Sequence, residues 1–491
     1  MGVTLSLANL PSIPSSVAVP SYSRASLTPG IVHIGLGNFH RAHQAVYLDR
    51  LFNKGRDLDW AITGSGVQAA DGRMCDALTA QDFLSTVVEQ EAASSSARIT
   101  GVMTGFVPPG NAAALVERLA HPSTRIVSLT VTEGGYFIDP ATGVFNPDAP
   151  EIRRDAANPD APSTAFGLIA LGLAHRRQQG LKPFTVMCCD NVPHNGVVTR
   201  NAVTGLARLS NRDLAKWIEA EVAFPNAMVD RITPATTDRE RKLLADTYGI
   251  EDRWPVFCEE FIQWVLEDKF CAGRPALEEV GVQFVPDVTP FEFMKIRILN
   301  GGHASIAYAG TLLDVHFVHD AMRHPLIDAF FAKIEQEEIV PTVPPVPGTN
   351  LQDYYRLIHR RFSNPKIGDT IPRLAFDGSN RQPKFIVPVI ADRLKAGQGI
   401  AGLALESALW CRHCVGTSAS GKAITAGDPN GERLKGVAEA ARHNPMAWLD
   451  MADIYGEVGK SPKLREAFGS ALKAVWDQGP QAAIEAYISS A

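Results

Sequence analysis

IVHIGLGNFH, residues 31–40, is an apolar run that breaks on two glycines. Past it, Arg41–Asn53 carries Ala42, Val46, Leu48, Leu51 and Phe52 at helical spacing, with charges between them. A buried strand, a glycine turn and a helix in that order make a site where backbone N–H groups can approach a pyrophosphate. Gly35 and Gly37, with Asn38 and Phe39 at the helix start, are the candidate dinucleotide contacts. The place of a third glycine is taken by His40. The ribose-binding acid that should end the second strand is not at the usual distance of about 20 residues. The first acid is Asp71, 34 residues beyond Gly37, in a loop after Trp60–Gly66.

Further apolar runs follow at Arg125–Gly135 and Phe184–Asn191, with a helical pattern at Ala165–Gln179 between them. Strands alternating with helices predict a parallel, doubly wound sheet. From about Pro290 long helical patterns take over: Phe291–Leu313, Pro325–Glu338, Phe385–Leu394, Gly399–His413 and Leu464–Gln478. The expected fold is an α/β domain over 1–285 and a mostly α-helical domain over 286–491.

Composition excludes several classes of function. The chain has 491 residues, 45% hydrophobic and 20% charged, so it is neither disordered nor a rod. Forty-seven basic against 53 acidic residues, with no basic stripe, argue against a nucleic-acid partner. No apolar stretch reaches membrane-spanning length, and the N-terminus lacks the basic and apolar regions of a signal peptide. Seven scattered cysteines are not a disulfide framework, and the expected compartment is the reducing cytoplasm.

The segment around Lys295 carries the clearest chemical signal. Thr289-Pro290 is a good helix start. At 100° per residue, Glu292, Lys295, Asn300 and His303 share an arc of about 140° among aliphatic neighbours. Gly301 and Gly302 lie beside them, and each costs about 1 kcal/mol relative to alanine inside a helix. Something is therefore expected to approach the backbone closely there. Cys189–Gly196, past the fourth strand, and Phe224–Arg231 are further polar clusters in apolar surroundings. Cys411-x-x-Cys414 lacks a second pair, and His316, His319 and His324 lack an acid of the HExxH type, so no metal site is expected.

IVHIGLGNFHRAHQAVYLDRL, SLTVTEGGY, CDNVPHNG, FPNAMVDRITP, WVLEDKF and MKIRILNGGH, in this order, resemble the polyol-specific long-chain dehydrogenases over nearly the whole chain. The resemblance implies a Rossmann-like N-terminal domain, a helical C-terminal domain and an active site in the cleft between them. It implies NAD-dependent, zinc-independent oxidation of a sugar alcohol to a ketose. D-mannitol to D-fructose is the first expectation, and D-arabinitol and D-sorbitol are also open. It further implies that Lys295 is the general base, that Asn191 and Asn300 hold the reacting oxygen, and that His303 orients the substrate. Glu292 would help proton exchange with solvent, while Asp230 and Arg373 would bind polyol hydroxyls. Position 381, often lysine among the mannitol enzymes, is Arg381 here. With Arg373 it could pair a carboxylate, which keeps a hexuronate reductase as the alternative. A non-catalytic dinucleotide sensor is a distant third reading, since a sensor need not retain a base. The acidic pair that follows the second strand in the family is reduced to Ala70-Asp71, which favours NAD with weaker rejection of NADP. The expected assembly is a monomer or small homo-oligomer.

Overall fold

The computed structural model describes residues 2–66, 68–131, 133–138, 144–425 and 427–490. It divides into two compact units, Met1–Val288 and Thr289–Ala491. In unit 1 the five runs Pro29–Ile34 (β1), Ala61–Ser65 (β2), Met103–Val107 (β3), Ile126–Leu129 (β4) and Thr185–Cys188 (β5) form one sheet in the order β3-β2-β1-β4-β5. Every pairing in it is parallel. Parallel strands are covered on both faces and so read as near-continuous apolar runs. Val32, Ile34, Ile62, Val127, Leu129 and Val186 are accordingly buried. The strand order reverses between β1 and β4, the switch point at which open α/β sheets take ligands. This is the Rossmann architecture expected from the strand–turn–helix reading.

The sequence reading does not anticipate β3, whose run MTGFV is short and interrupted by Gly105. Nor does it anticipate the three smaller sheets of unit 1. One joins the antiparallel pair Ser85–Gln90 and Ser95–Thr100 to Val256–Glu259. A second pairs Ala227–Asp230 antiparallel with Gln263–Glu267. The third is the short pair Val3–Thr4 and Ile250–Glu251. The single helix expected over Arg41–Asn53 is two, Asn38–Ala42 and Gln44–Phe52. They part at His43, whose Nε2 reaches the Gln263 carbonyl at 2.9 Å.

Unit 2 is helical. Its helix Ala401–Cys414 is buried nearly all round, and Tyr308, Trp410, Trp448 and Tyr455 are among its largest buried side chains. The expected helix Phe291–Leu313 has three parts: Thr289–Met294, a π-helical turn Lys295–Asn300, and Gly301–Leu312. Pro325–Lys333 likewise runs into a second π-helical turn, Ile334–Ile339. No helix of the described residues is long and apolar enough to cross a membrane.

Candidate active site

The glycine turn after β1 is fixed by contacts that only glycine permits. Gly35 has φ +89°, and a Cβ there would lie 2.3 Å from the Thr130 carbonyl at the end of β4. Gly37, at the cap of the following helix, would meet nothing nearer than 3.9 Å. The tight turn and the open backbone position beside it are the two features a pyrophosphate needs. Asn38 serves the protein itself: its amide donates to Thr236 Oγ1 at 2.9 Å and Pro234 O at 3.2 Å, and accepts from Arg41 Nη2 at 2.7 Å. Phe39 stacks on His43. His40, in the third glycine's place, stacks on His33 with ring centroids 3.5 Å apart, and His33 bridges Ser128 and Thr130. Burial holds both of these imidazoles far on the neutral side, His33 at about 3. The two histidines are packing groups.

Asp71 closes a capping box on the short turn Ala69–Asp71, and its Oδ2 accepts the Gln68 N–H at 2.9 Å. Its Cβ lies 2.6 Å from where a Gly66 Cβ would stand. The carboxylate therefore abuts the end of β2, reached by the short loop that follows the strand.

Asn191 is exposed just past the carboxyl end of β5, on a loop pinned from both sides. Asp190 Oδ2 accepts from Tyr136 OH at 2.6 Å and from Val131 N at 2.9 Å. Asn195 donates to Ala227 O at 2.7 Å and accepts from Ala227 N at 2.9 Å. Gly196 fits because a Cβ would collide with the Phe224 carbonyl at 2.5 Å. That contact, with the Asn195 bonds, ties the segment CDNVPHNG to FPNAMVD. Asp230 ends the strand of the latter and is buried. Asp190 and Asn195, with Asn226 Oδ1 accepting the Gly196 N–H at 2.9 Å, thus hold the loop, a structural duty that polarity alone did not separate from ligand contact.

In unit 2, Glu292, Lys295 and Asn300 are buried, all within the same short stretch. The uniform 100° step fails across this stretch. The Gly301 N–H reaches back to the Ile296 carbonyl, the i−5 bond of a π-turn, so each residue advances by less. Lys295 and Asn300, five residues apart, lie closer in angle than a 3.6-residue wheel puts them. The Asn300 Nδ2 and His303 Nε2 have no hydrogen-bond partner among the described residues. His303 stacks on Phe362 at 4.2 Å. Burial, and then the charges of Arg373, Arg361, Arg381 and Lys295, push its pKa well below the usual imidazole range, so it is neutral at pH 7.

The expected close approach to the glycine pair occurs at Gly302. A Cβ there would sit 2.9 Å from Glu335 Oε1 and 2.9 Å from the Phe331 ring. Gly301 has room, with nothing nearer than 3.8 Å. Arg373 forms a two-pronged ion pair with Asp369. Arg381 donates to the Leu374 carbonyl at 2.9 Å. Neither contact was legible in the sequence. Among the described residues no group of three His, Cys, Asp or Glu side chains is placed to hold a metal ion. Cys411 and Cys414 are buried free thiols.

Comparison with known proteins decides the family. Residues 29–279 match the mannitol dehydrogenase Rossmann domain, and residues 287–476 match the mannitol dehydrogenase C-terminal domain. The chain belongs to the mannitol dehydrogenase family. It is 57% identical to the mannitol 2-dehydrogenase of Cereibacter sphaeroides, covering 97% of this chain and 99% of that one. It is 43% identical to the mannitol 2-dehydrogenase of Aspergillus terreus, covering 96% of each. Among solved structures it matches the Pseudomonas fluorescens mannitol 2-dehydrogenase ternary complex with NAD and D-mannitol. The TM-score is 0.92 and the identity 42%, over 99% of this chain and 100% of that one. A substrate-free D-sorbitol dehydrogenase matches with a TM-score of 0.89 at 34% identity, over 98% of this chain and 100% of that one. Within the mannitol dehydrogenase family the Rossmann and helical halves found here are the two parts of one enzyme architecture.

Proposed function

We propose that this chain is an NAD-dependent mannitol 2-dehydrogenase that oxidises D-mannitol to D-fructose, with Lys295 as general base and no catalytic zinc. The observation that carries the reading is the buried Lys295 on a π-turn with Asn300, with His303 in the helix that follows, in a chain 57% identical to a mannitol 2-dehydrogenase along nearly its whole length. Unit 1 takes the dinucleotide at Gly35 and Gly37, with Asp71 at the adenosine ribose. Bound NAD supplies the acceptor for the hydride.

The protein's own groups manage the proton and the charge. A hydride leaves a carbinol carbon only as the hydroxyl loses its proton, so a base must lie within hydrogen-bond reach. Lys295 is buried, and a lysine that serves as base must present its neutral amine to accept the proton. The amides of Asn300 and Asn191 donate to the developing alkoxide, a role an uncharged donor can fill without a metal. Neutral His303, fixed by Phe362, orients the reacting hydroxyl. Glu292, three residues before Lys295, passes the proton outward. Asp230 and the Arg373 and Arg381 side chains meet the remaining hydroxyls.

The hexuronate reading is the weaker one, because the Arg373 fork is already closed on Asp369. Rejection of NADP rests on Asp71 alone and is moderate. The seven cysteines are all free thiols, which suits the cytoplasm. The deciding experiment is a panel of D-mannitol, D-arabinitol, D-sorbitol and D-mannonate with NAD and NADP, followed by the absorbance of the reduced nicotinamide. D-mannitol with NAD is expected to give the highest kcat/KM. Turnover of D-mannonate in its place would overturn the reading.

A further inference from the structure

Four basic side chains, Arg361, Arg373, Arg381 and Lys295, lie close enough to His303 to act on its titration. Such a cluster would by itself attract an anion. One carboxylate is set directly against it. Asp369 is buried, 7% exposed at its side chain, while Arg373 is 51% exposed. Nε and Nη2 of Arg373 close on the two Asp369 oxygens. The Thr370 N–H donates to Asp369 Oδ1 at 2.8 Å, so the carboxylate is anchored independently of its partner. Thr370 in turn caps the helix Ile371–Ala375 that carries Arg373. Arg381 is turned onto the Leu374 and Arg373 carbonyls at the end of that helix.

We propose that Asp369 is a specificity-determining residue that converts Arg373 from a carboxylate clamp into a donor for neutral hydroxyls. The proposal rests on the reading of the Lys295 site as a polyol site. A guanidinium recognises a carboxylate through a planar pair of N–H groups. In Arg373 the Nε/Nη2 edge, one such pair, is spent on Asp369. The remaining N–H groups can still donate to hydroxyl oxygens. A substrate carboxylate that reached for them would lie beside the Asp369 carboxylate, and like-charge juxtaposition is how a site rejects a near-isosteric competitor. The competitor here is the sugar acid made by replacing one terminal CH2OH of the polyol with a carboxylate.

The test uses the full chain with NAD and compares D-mannitol with D-mannonate as a ratio of kcat/KM. In both substrates a carbinol carbon gives its hydride to NAD and its hydroxyl proton to the base, and the carboxylate of D-mannonate is a spectator. Asp369→Asn keeps an acceptor for the Thr370 N–H and removes the charge. It is expected to shift the ratio toward D-mannonate by about tenfold or more. Asp369→Glu keeps the charge and is expected to keep the wild-type preference. An unmoved ratio in Asp369→Asn, or an equal shift in Asp369→Glu, overturns the proposal. If Asp369→Asn folds but does not turn over, calorimetric binding of D-mannonate to the NAD-loaded protein replaces the rates. Tighter binding than wild type supports the proposal, and equal binding overturns it. Should the asparagine variant fail to fold, Asp369→Ser carries the same measurements. Preference of the wild-type enzyme for D-mannonate would instead sink the polyol reading itself.

Discussion

Replacing Lys295 with alanine is expected to lower kcat by roughly 10²–10⁴-fold while dinucleotide binding, measured by fluorescence titration, stays near wild type. Near wild-type turnover at neutral pH would remove Lys295 from the role of base. Asp71→Ala is expected to raise KM for NAD and improve use of NADP, with hydride transfer little changed. One partly solvated carboxylate gives only moderate discrimination. If the NAD-to-NADP ratio of kcat/KM does not move, Asp71 is only the capping residue that its bond to the Gln68 N–H makes it. These two residues differ in how far the sequence betrayed them. Lys295, Asn300 and His303 stood out because polar groups among buried aliphatics need a reason. Asp71 drew notice only as the first acid after the second strand, and its contact with the Gly66 position is made by a turn that folds back on itself. Asp369 was silent for a third reason: an i,i+4 Asp–Arg pair is ordinary on a helix surface, and only burial of the carboxylate distinguishes it.

At the scale of the element, the π-turn Lys295–Asn300 is what the helical wheel could not give, since a wheel assumes one angular step throughout. The glycine pair, by contrast, did announce a close approach, and Gly302 is where it occurs. Gly302→Ala is expected to destabilise unit 2 by about 1–3 kcal/mol, because the new methyl meets Glu335 and Phe331 at 2.9 Å. Urea titration with tryptophan fluorescence measures it, and a loss below a few tenths of that range would mean that the notch relaxes freely. Glu335 itself is fully buried, and neither oxygen finds a hydrogen-bond partner among the described residues. Burial pushes its pKa well above the usual 4.5. A folded-state pKa raised in this way gives stability that is complete below the unfolded value and falls as pH rises above it. Glu335→Gln removes that loss. Its melting temperature should therefore exceed wild type at pH 8, with the gap closing toward pH 5. A gap of constant size across that range would refute the ionisation account.

For the whole molecule, turnover is expected to survive exhaustive dialysis against a chelator, since under the proposed function the amides of Asn191 and Asn300 would take the place of a Lewis acid. Activity lost on dialysis and restored by zinc would contradict this. Four of the five Rossmann strands were legible because they are continuous apolar runs ending in glycine or polar turns, and β3 was not. The smaller sheets were not, because runs such as Ala227–Asp230 and Val256–Glu259 are only a few residues long and borrow their identity from distant partners. The parallel order has a kinetic corollary. β1 lies against β4, and His33 meets Ser128, 95 positions away in the chain. Closing such loops is paid in entropy before any pairing rewards it. Unit 2 is built largely of helices whose first contacts are local. On dilution from denaturant, its helical signal should return in an early phase, while recovery of dinucleotide binding waits on the sheet. Nascent chains would then expose the unpaired β1 edge until β4 has left the ribosome, an interval in which a chaperone has the most to shield.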